Sequence, residues 1–304
     1  MSPHKEGLQI VYLTVLLFGV LGNMFLLYLH GLKFIAGHKK RLISLIIINL
    51  ALAHTLMIIF RGIPIIIATL GWRSFLDDVM GKILTYLIRV TRVLSLCSTF
   101  LLSVFQAITI SPNSCIWTEI KTRTYKYIIP CTLFCGIFSI LIDVTLAANI
   151  RDKRNSSNES WKIGHSSFNY NAINVIIWNS VLDALFMGLM ICSSVYMVFV
   201  LHRHSQQVQY IHSTSPSPKA SPETRATKAI LMLVITFVCF NSFSSPFIIY
   251  MTSINATRHW EMCFTVILSL VYPIVSPFIL IITDTQMPRS LHVLLVLKSF
   301  VWGK

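Results

Sequence analysis

The chain has 304 residues, of which 55% are hydrophobic and only 12% charged, with a mean hydropathy of +0.70. A soluble domain carries about 25% charged residues, so the composition excludes a water-soluble globular protein and leaves a membrane protein. The formal net charge of +14 would suggest a nucleic-acid partner in a soluble chain, but the basic residues sit in short stretches between apolar runs, which is the pattern of membrane topology.

In chain order, residues 8–32 are uncharged and longer than the apolar core of a signal peptide, and so form a first span. The basic cluster Lys39, Lys40, Arg41 separates it from a second, 42–70, whose one formal charge is Arg61, with Gly62 and Pro64 beside it as a site for a kink. A short loop with Trp72, Asp77 and Asp78 leads to the third span, 82–110. Arg89 and Arg92 lie on the order of 10 to 15 Å inside its first end, too deep for interface anchors. A charge at that depth faces a bundle interior or a wet cavity, so this helix is expected to be central.

A polar stretch with Trp117, Lys121, Arg123 and Lys126 precedes the fourth span, 127–150, which contains Asp143. Spans five (172–201, with Asp183), six (229–253) and seven (262–283) follow, and residues 284–304 form a tail. The expected architecture is all-α, a single seven-helix membrane domain over residues 1–304.

Lys and Arg fix the orientation. Of the 25, fourteen fall on the side of the first inner loop and the tail, seven on the other side, and four (Arg61, Lys82, Arg89, Arg92) in or at the ends of spans. The richer side is expected to be cytoplasmic, with the amino terminus outside. The glycosylation sequons at Asn155, Asn158 and Asn255 then face the lumen, where the modification occurs.

Seven spans in this orientation suggest a G-protein-coupled receptor. Gly22-Asn23 and Leu50-Ala51 resemble the rhodopsin-like class, but His54 stands where that class has an Asp, Phe105-Gln106-Ala107 ends helix three without Asp/Glu-Arg-Tyr, and Tyr272-Pro273 with Ser276-Pro277 replaces Asn-Pro-x-x-Tyr. These departures, with Leu101 to Pro112 (LLSVFQAITISP), Leu201 to Gln209 (LHRHSQQVQ), Ser221 to Ile230 (SPETRATKAI), Ser276-Pro277-Phe278 and the paired Arg89 and Arg92, resemble the vomeronasal type-1 receptor family. The resemblance implies a chemosensory pheromone receptor of the plasma membrane, coupled to a heterotrimeric G protein of the inhibitory or Go class. Members of that family usually tie the second outer loop to helix three by a disulfide. Here Gly81 and Ser166 occupy those places, so the bridge is expected to be absent.

Arg61, Arg89, Arg92 and Asp183 are the candidate ligand contacts. Three intramembrane arginines against the two aspartates, Asp143 and Asp183, leave one positive charge over, which a guanidinium-binding oxyanion would neutralise. The arginines could equally be structural, paired with the aspartates and backbone carbonyls. Gln106, Arg225 and Lys228 are candidate G-protein contacts, although positive-inside anchoring explains the last two as well. His54 is read as a hydrogen-bonded core histidine or an ion sensor. No catalytic motif, metal-ligand spacing or cofactor fingerprint is present, and the two intramembrane aspartates lie on different spans. A small transporter or channel using these charges as a relay is the alternative to a receptor, and nucleic acid is not an expected partner.

Overall fold

The computed structural model describes residues 3–35, 41–69, 78–112, 114–142, 170–211, 222–253 and 259–283. Among them all regular structure is helical: α1 (Pro3–Ile35), α2 (Arg41–Thr69), α3 (Asp78–Ile110), α4 (Cys115–Ile142), α5 (Tyr170–Ile211), α6 (Pro222–Ser253) and α7 (His259–Thr283). Helices are what such apolar runs must form in lipid, where each backbone group has to be satisfied within its own segment. The described parts of α1 to α6 each contain a stretch long and apolar enough to cross a membrane, and in α7 that stretch, Val266–Ile282, is shorter.

The helices overrun the apolar segments. α4 begins at Cys115, inside the polar stretch expected to be a loop. Thr118, Thr122 and Thr124 return their hydroxyls to carbonyls one turn back, and Glu119 pairs with Arg123 at i,i+4, so this polar turn satisfies itself as helix. Lys121 Nζ donates to the Ser111 carbonyl at 2.8 Å, capping the end of α3 and closing the α3 to α4 turn.

α3 is central, packed against α2, α4, α5 and α6, while α1 packs on α2 and α7. In α2 and α3, 56% of the spanning residues are buried, against 17% in α4 and α5, which makes the latter pair a lipid-facing rim. Leu133, Phe134, Leu185 and Phe199 point outward there. The main core, including Leu26, Ile46, Leu50, Leu102, Met197, Leu233 and Tyr272, draws on all seven helices, α4 contributing only Ile128.

Close approach of α1 to its neighbours depends on small residues. A Cβ at Gly19 would stand 2.7 Å from Ile274 Cγ1 and 3.0 Å from Ile58 Cδ1, and one at Gly22 3.0 Å from the Phe278 ring. Gly136 on α4 has no such neighbour within 4 Å. Exchanging Gly for Ala inside a helix gains roughly 0.5 to 1 kcal/mol, whereas overpacking costs about 1 to 3 kcal/mol. Gly19→Ala should therefore lower the thermal midpoint of the purified protein, and Gly136→Ala should hold or raise it. Equal midpoints for the two variants would rule out a packing constraint at Gly19.

Candidate functional site

Arg92, Ser95, Thr99, Ser103 and Gln106 recur at spacings of three and four, so they line one stripe of α3. In a lipid environment such a stripe must find partners within the bundle, and each residue finds one on a surrounding helix. Arg92 Nη2 donates to Asp183 Oδ2 on α5 at 2.7 Å. Ser95 Oγ lies 2.7 Å from His54 Nε2 on α2. Thr99 Oγ1 shares a 2.7 Å hydrogen bond with the Tyr272 hydroxyl on α7. Ser103 Oγ and Ser193 Oγ on α5 are 2.5 Å apart, and Gln106 Nε2 donates to Thr227 Oγ1 on α6 at 2.9 Å.

His54 is a junction rather than a single contact. It is 1% exposed, and its Nδ1 lies 2.7 Å from Ser276 Oγ on α7, so one ring joins three helices. Tyr272 packs edge-on against it with centroids 5.0 Å apart, and Phe237 of α6 packs against Tyr272 at 4.8 Å. A neutral imidazole offers one donor and one acceptor, and serine hydroxyls rotate to suit either.

α7 needs a further partner because Pro277 has no N–H to give the Pro273 carbonyl. Asn23 on α1 supplies it, donating Nδ2 to that carbonyl at 2.9 Å and to Gly19 O at 2.8 Å. Gly22-Asn23 and Ser276-Pro277, far apart in sequence, are thus two halves of one joint.

Around Arg92 the helices leave a cavity of about 20 Å³ bordered by Met57, Arg92, Ser95, Asn241, Ser269 and Tyr272. That is room for about one water molecule, so a larger guest must spread the helices. Arg61 Nη1 donates to Ser269 Oγ on the cavity wall, and Ser269 Oγ donates in turn to the Val266 carbonyl at 2.7 Å. Arg92 thus lines the cavity itself, while Asp183 and Arg61 each hydrogen-bond to a lining residue, Arg92 and Ser269 respectively. Arg89 is partly buried one turn earlier on α3.

At the other end of the stripe Gln106 is buried and turned inward onto Thr227, away from the exposed face expected of a G-protein contact. Lys228 is exposed one position further on, and Ser111 Oγ bonds to the Tyr196 hydroxyl at 2.8 Å. Gly81 lies on α3 with open space where a side chain would project. Asp143, Asn155, Asn158, Ser166, Asn255, the tail 284–304 and the side chain of Arg225 lie outside the described residues. Among the described residues, no three His, Cys, Asp or Glu side chains cluster as metal ligands.

Sequence inspection singles out Arg92, His54 and Gln106 but passes over Ser95, Thr99 and Ser103. The signal was present in their spacing. Small hydroxyls in a span are also routinely satisfied by their own helix, as Thr91 is by the Leu87 carbonyl, so identity alone does not separate the two cases.

Six helices organised around the interior polar helix α3 form a seven-helix membrane bundle. The fold matches the crystal structure of squid rhodopsin with a TM-score of 0.69, covering 99% of this chain and 87% of that one at 13% identity, a likeness of fold alone. Residues 7–293 match the profile of the vomeronasal organ pheromone receptor family, and the chain belongs to that family. It is 36% identical over 291 residues to vomeronasal type-1 receptor 1 of Gorilla gorilla gorilla, covering 94% of this chain and 82% of that protein. Vomeronasal type-1 receptor 3 of Homo sapiens is 35% identical over 297 residues, covering 95% and 94%. The protein is a multi-pass plasma-membrane receptor of the G-protein-coupled, chemosensory kind. Family membership favours this over the transporter or channel alternative and speaks against catalysis.

The junction at His54 sets the first expectation for the site. His54→Leu keeps the volume but leaves the Ser95 and Ser276 hydroxyls short of a buried partner, at about 1 to 3 kcal/mol for each group orphaned. The thermal midpoint should fall well below wild type. Removing both hydroxyls as well, by Ser95→Ala and Ser276→Ala, should restore part of the loss. A triple variant no more stable than His54→Leu would show that the hydrogen bonds are not what the ring contributes.

Proposed function

We propose that the receptor recognises a small anionic molecule, such as a sulfated or carboxylated steroid, among α2, α3, α5, α6 and α7 at the Arg92 end of the bundle. Arg61, Arg89, Arg92 and Asp183 are the polar contacts. The observation that carries this reading is one small cavity of mixed polar and apolar wall, lined by Arg92, which is bound to Asp183, and by Ser269, which accepts from Arg61. Among the described residues three arginines and one carboxylate stand at this end of the bundle, a formal positive excess in a region where charge is costly to bury. An oxyanion held by a guanidinium fork relieves it with defined geometry.

The cavity holds about one water, so the liganded state is a wider one, and the ligand shifts the population toward it by binding it better. At the far end, opening requires Gln106 to leave Thr227. Gln106, Arg225 and Lys228 then meet the G protein, of the inhibitory or Go class. The amino terminus is outside and the tail cytoplasmic, with Asn155, Asn158 and Asn255 glycosylated. The excess of Lys and Arg on the tail side supports that orientation.

Replacing Arg89 or Arg92 by Gln, with surface expression matched, should weaken agonist-driven nucleotide exchange for an anionic steroid at least tenfold more than for its neutral parent. Equal loss for both ligands would assign the arginines a structural role. Orientation is tested separately. An N-glycan-stripping enzyme should shift the gel mobility of receptor from glycosylating cells, and loss of all three sequons should abolish the shift. No shift in the unmodified receptor would refute the topology.

A further inference from the structure

On the lipid-facing side of α3 and α4, at the end where the two helices are joined by the Ser111 to Ser114 turn, lies a groove of about 310 Å³ that is apolar over almost its whole wall. Ile120, Thr124, Ile128 and Cys131 form one stripe of α4 along it, with Arg123 and Tyr127 in the adjacent row. α3 contributes Leu101 and Val104, and Ile46 of α2 is the floor. In a bilayer, such a furrow is filled by whatever lipid fits it.

Its dimensions and chemistry select the occupant. From Ile120 to Cys131 the groove runs roughly 16 Å at ~1.5 Å per residue, about half of a ~30 Å hydrocarbon core, so it matches one leaflet and one acyl chain. Arg123 sits near the end toward the turn, where a headgroup would lie. Its Nη2 donates to Glu119 Oε1 at 2.6 Å, and both side chains are well exposed, so that pair is weak and most guanidinium donors remain for a phosphate. The same two turns of helix carry Lys121 and Lys126, three basic residues against one acidic. That excess favours a net negative headgroup over a zwitterion, whose cationic part would meet it.

We propose that this groove binds one anionic phospholipid, with a chain along the α3 to α4 furrow and its phosphate on Arg123. The site is independent of the agonist pocket and of which leaflet the turn faces; with the tail inside, it belongs to the cytoplasmic leaflet. Because Phe105 lines the groove next to Gln106, the bound chain braces the segment of α3 that holds Thr227.

The test is native mass spectrometry of the full-length receptor in micelles containing equal phosphatidylserine and phosphatidylcholine of matched chains. One phosphatidylserine adduct should survive activation, favoured about fivefold over phosphatidylcholine, the weight of a single basic side chain near an anionic surface. Arg123→Gln should reduce that preference about fivefold and Arg123→Lys should retain most of it. Lys126→Gln, outside the groove wall, should lower it far less than Arg123→Gln does, and Val104→Phe, which fills the furrow, should remove the adduct of both lipids. Equal retention of the two lipids by the unmodified receptor would overturn the proposal. So would a Lys126→Gln effect as large as that of Arg123→Gln, which would mark diffuse attraction to the surface, or displacement of the adduct by cholesterol. None of these readouts uses agonist or G protein, so a negative result leaves the receptor function standing.

Discussion

A polar stripe on a helix surrounded by hydrocarbon is tolerable only if every group on it is met from inside the protein. α3 carries that obligation for this receptor. From Arg92 to Gln106 its partners come in turn from α5, α2, α7, α5 and α6. The rest of the bundle is arranged to bring Asp183, His54, Tyr272, Ser193 and Thr227 to those heights. Apolar packing alone would not enforce this, because lipid tails are as apolar as the side chains they replace and supply no drive to bring helices together.

The partners are spread over four helices, so the stripe fastens α2, α5, α6 and α7 to one element. Between Arg92 and Gln106 lie the Ser95 bond to α2, one turn along, and the Thr99 bond to α7, two turns along. His54 strengthens this link because a single ring spans α2, α3 and α7, and the Asn23 bond to the carbonyl freed by Pro277 fastens α7 to α1. The proline bends sit where side chains from other helices take up the backbone groups they release, which is how such helices are accommodated in membranes.

The charges are confined to one end of this system. Arg92 and Asp183 retain some exposure, at 24% and 21% of their side-chain surface, and Arg92 lines the cavity. Neutral hydroxyls and an amide take over deeper in the stripe, where a charge would have no water and little to pair with. The hydrogen bonds along this one helix thus grade from an ion pair at Arg92 to a neutral amide contact at Gln106.

Much of this was written in the chain itself. Hydropathy and length determined the membrane class and the seven helices, since a run of ~20 apolar residues has few alternatives in or out of a bilayer. The strings around LLSVFQAITISP and the paired arginines determined the family, to which the chain belongs. The depth of Arg89 and Arg92 placed α3 at the centre, because a charge cannot face lipid. What the sequence left open was pairing. Arg92 could have met Asp143 or Asp183, Gln106 could have faced solvent, and His54 could have bonded its own helix. The serines and threonines between them looked like ordinary polar residues of a span. Such choices depend on the rotation and relative height of each helix, which periodicity within one helix does not contain. Only the packed bundle, where Gly19 and Gly22 let α1 approach and Pro277 frees a carbonyl for Asn23, decided which partners stand within hydrogen-bonding reach.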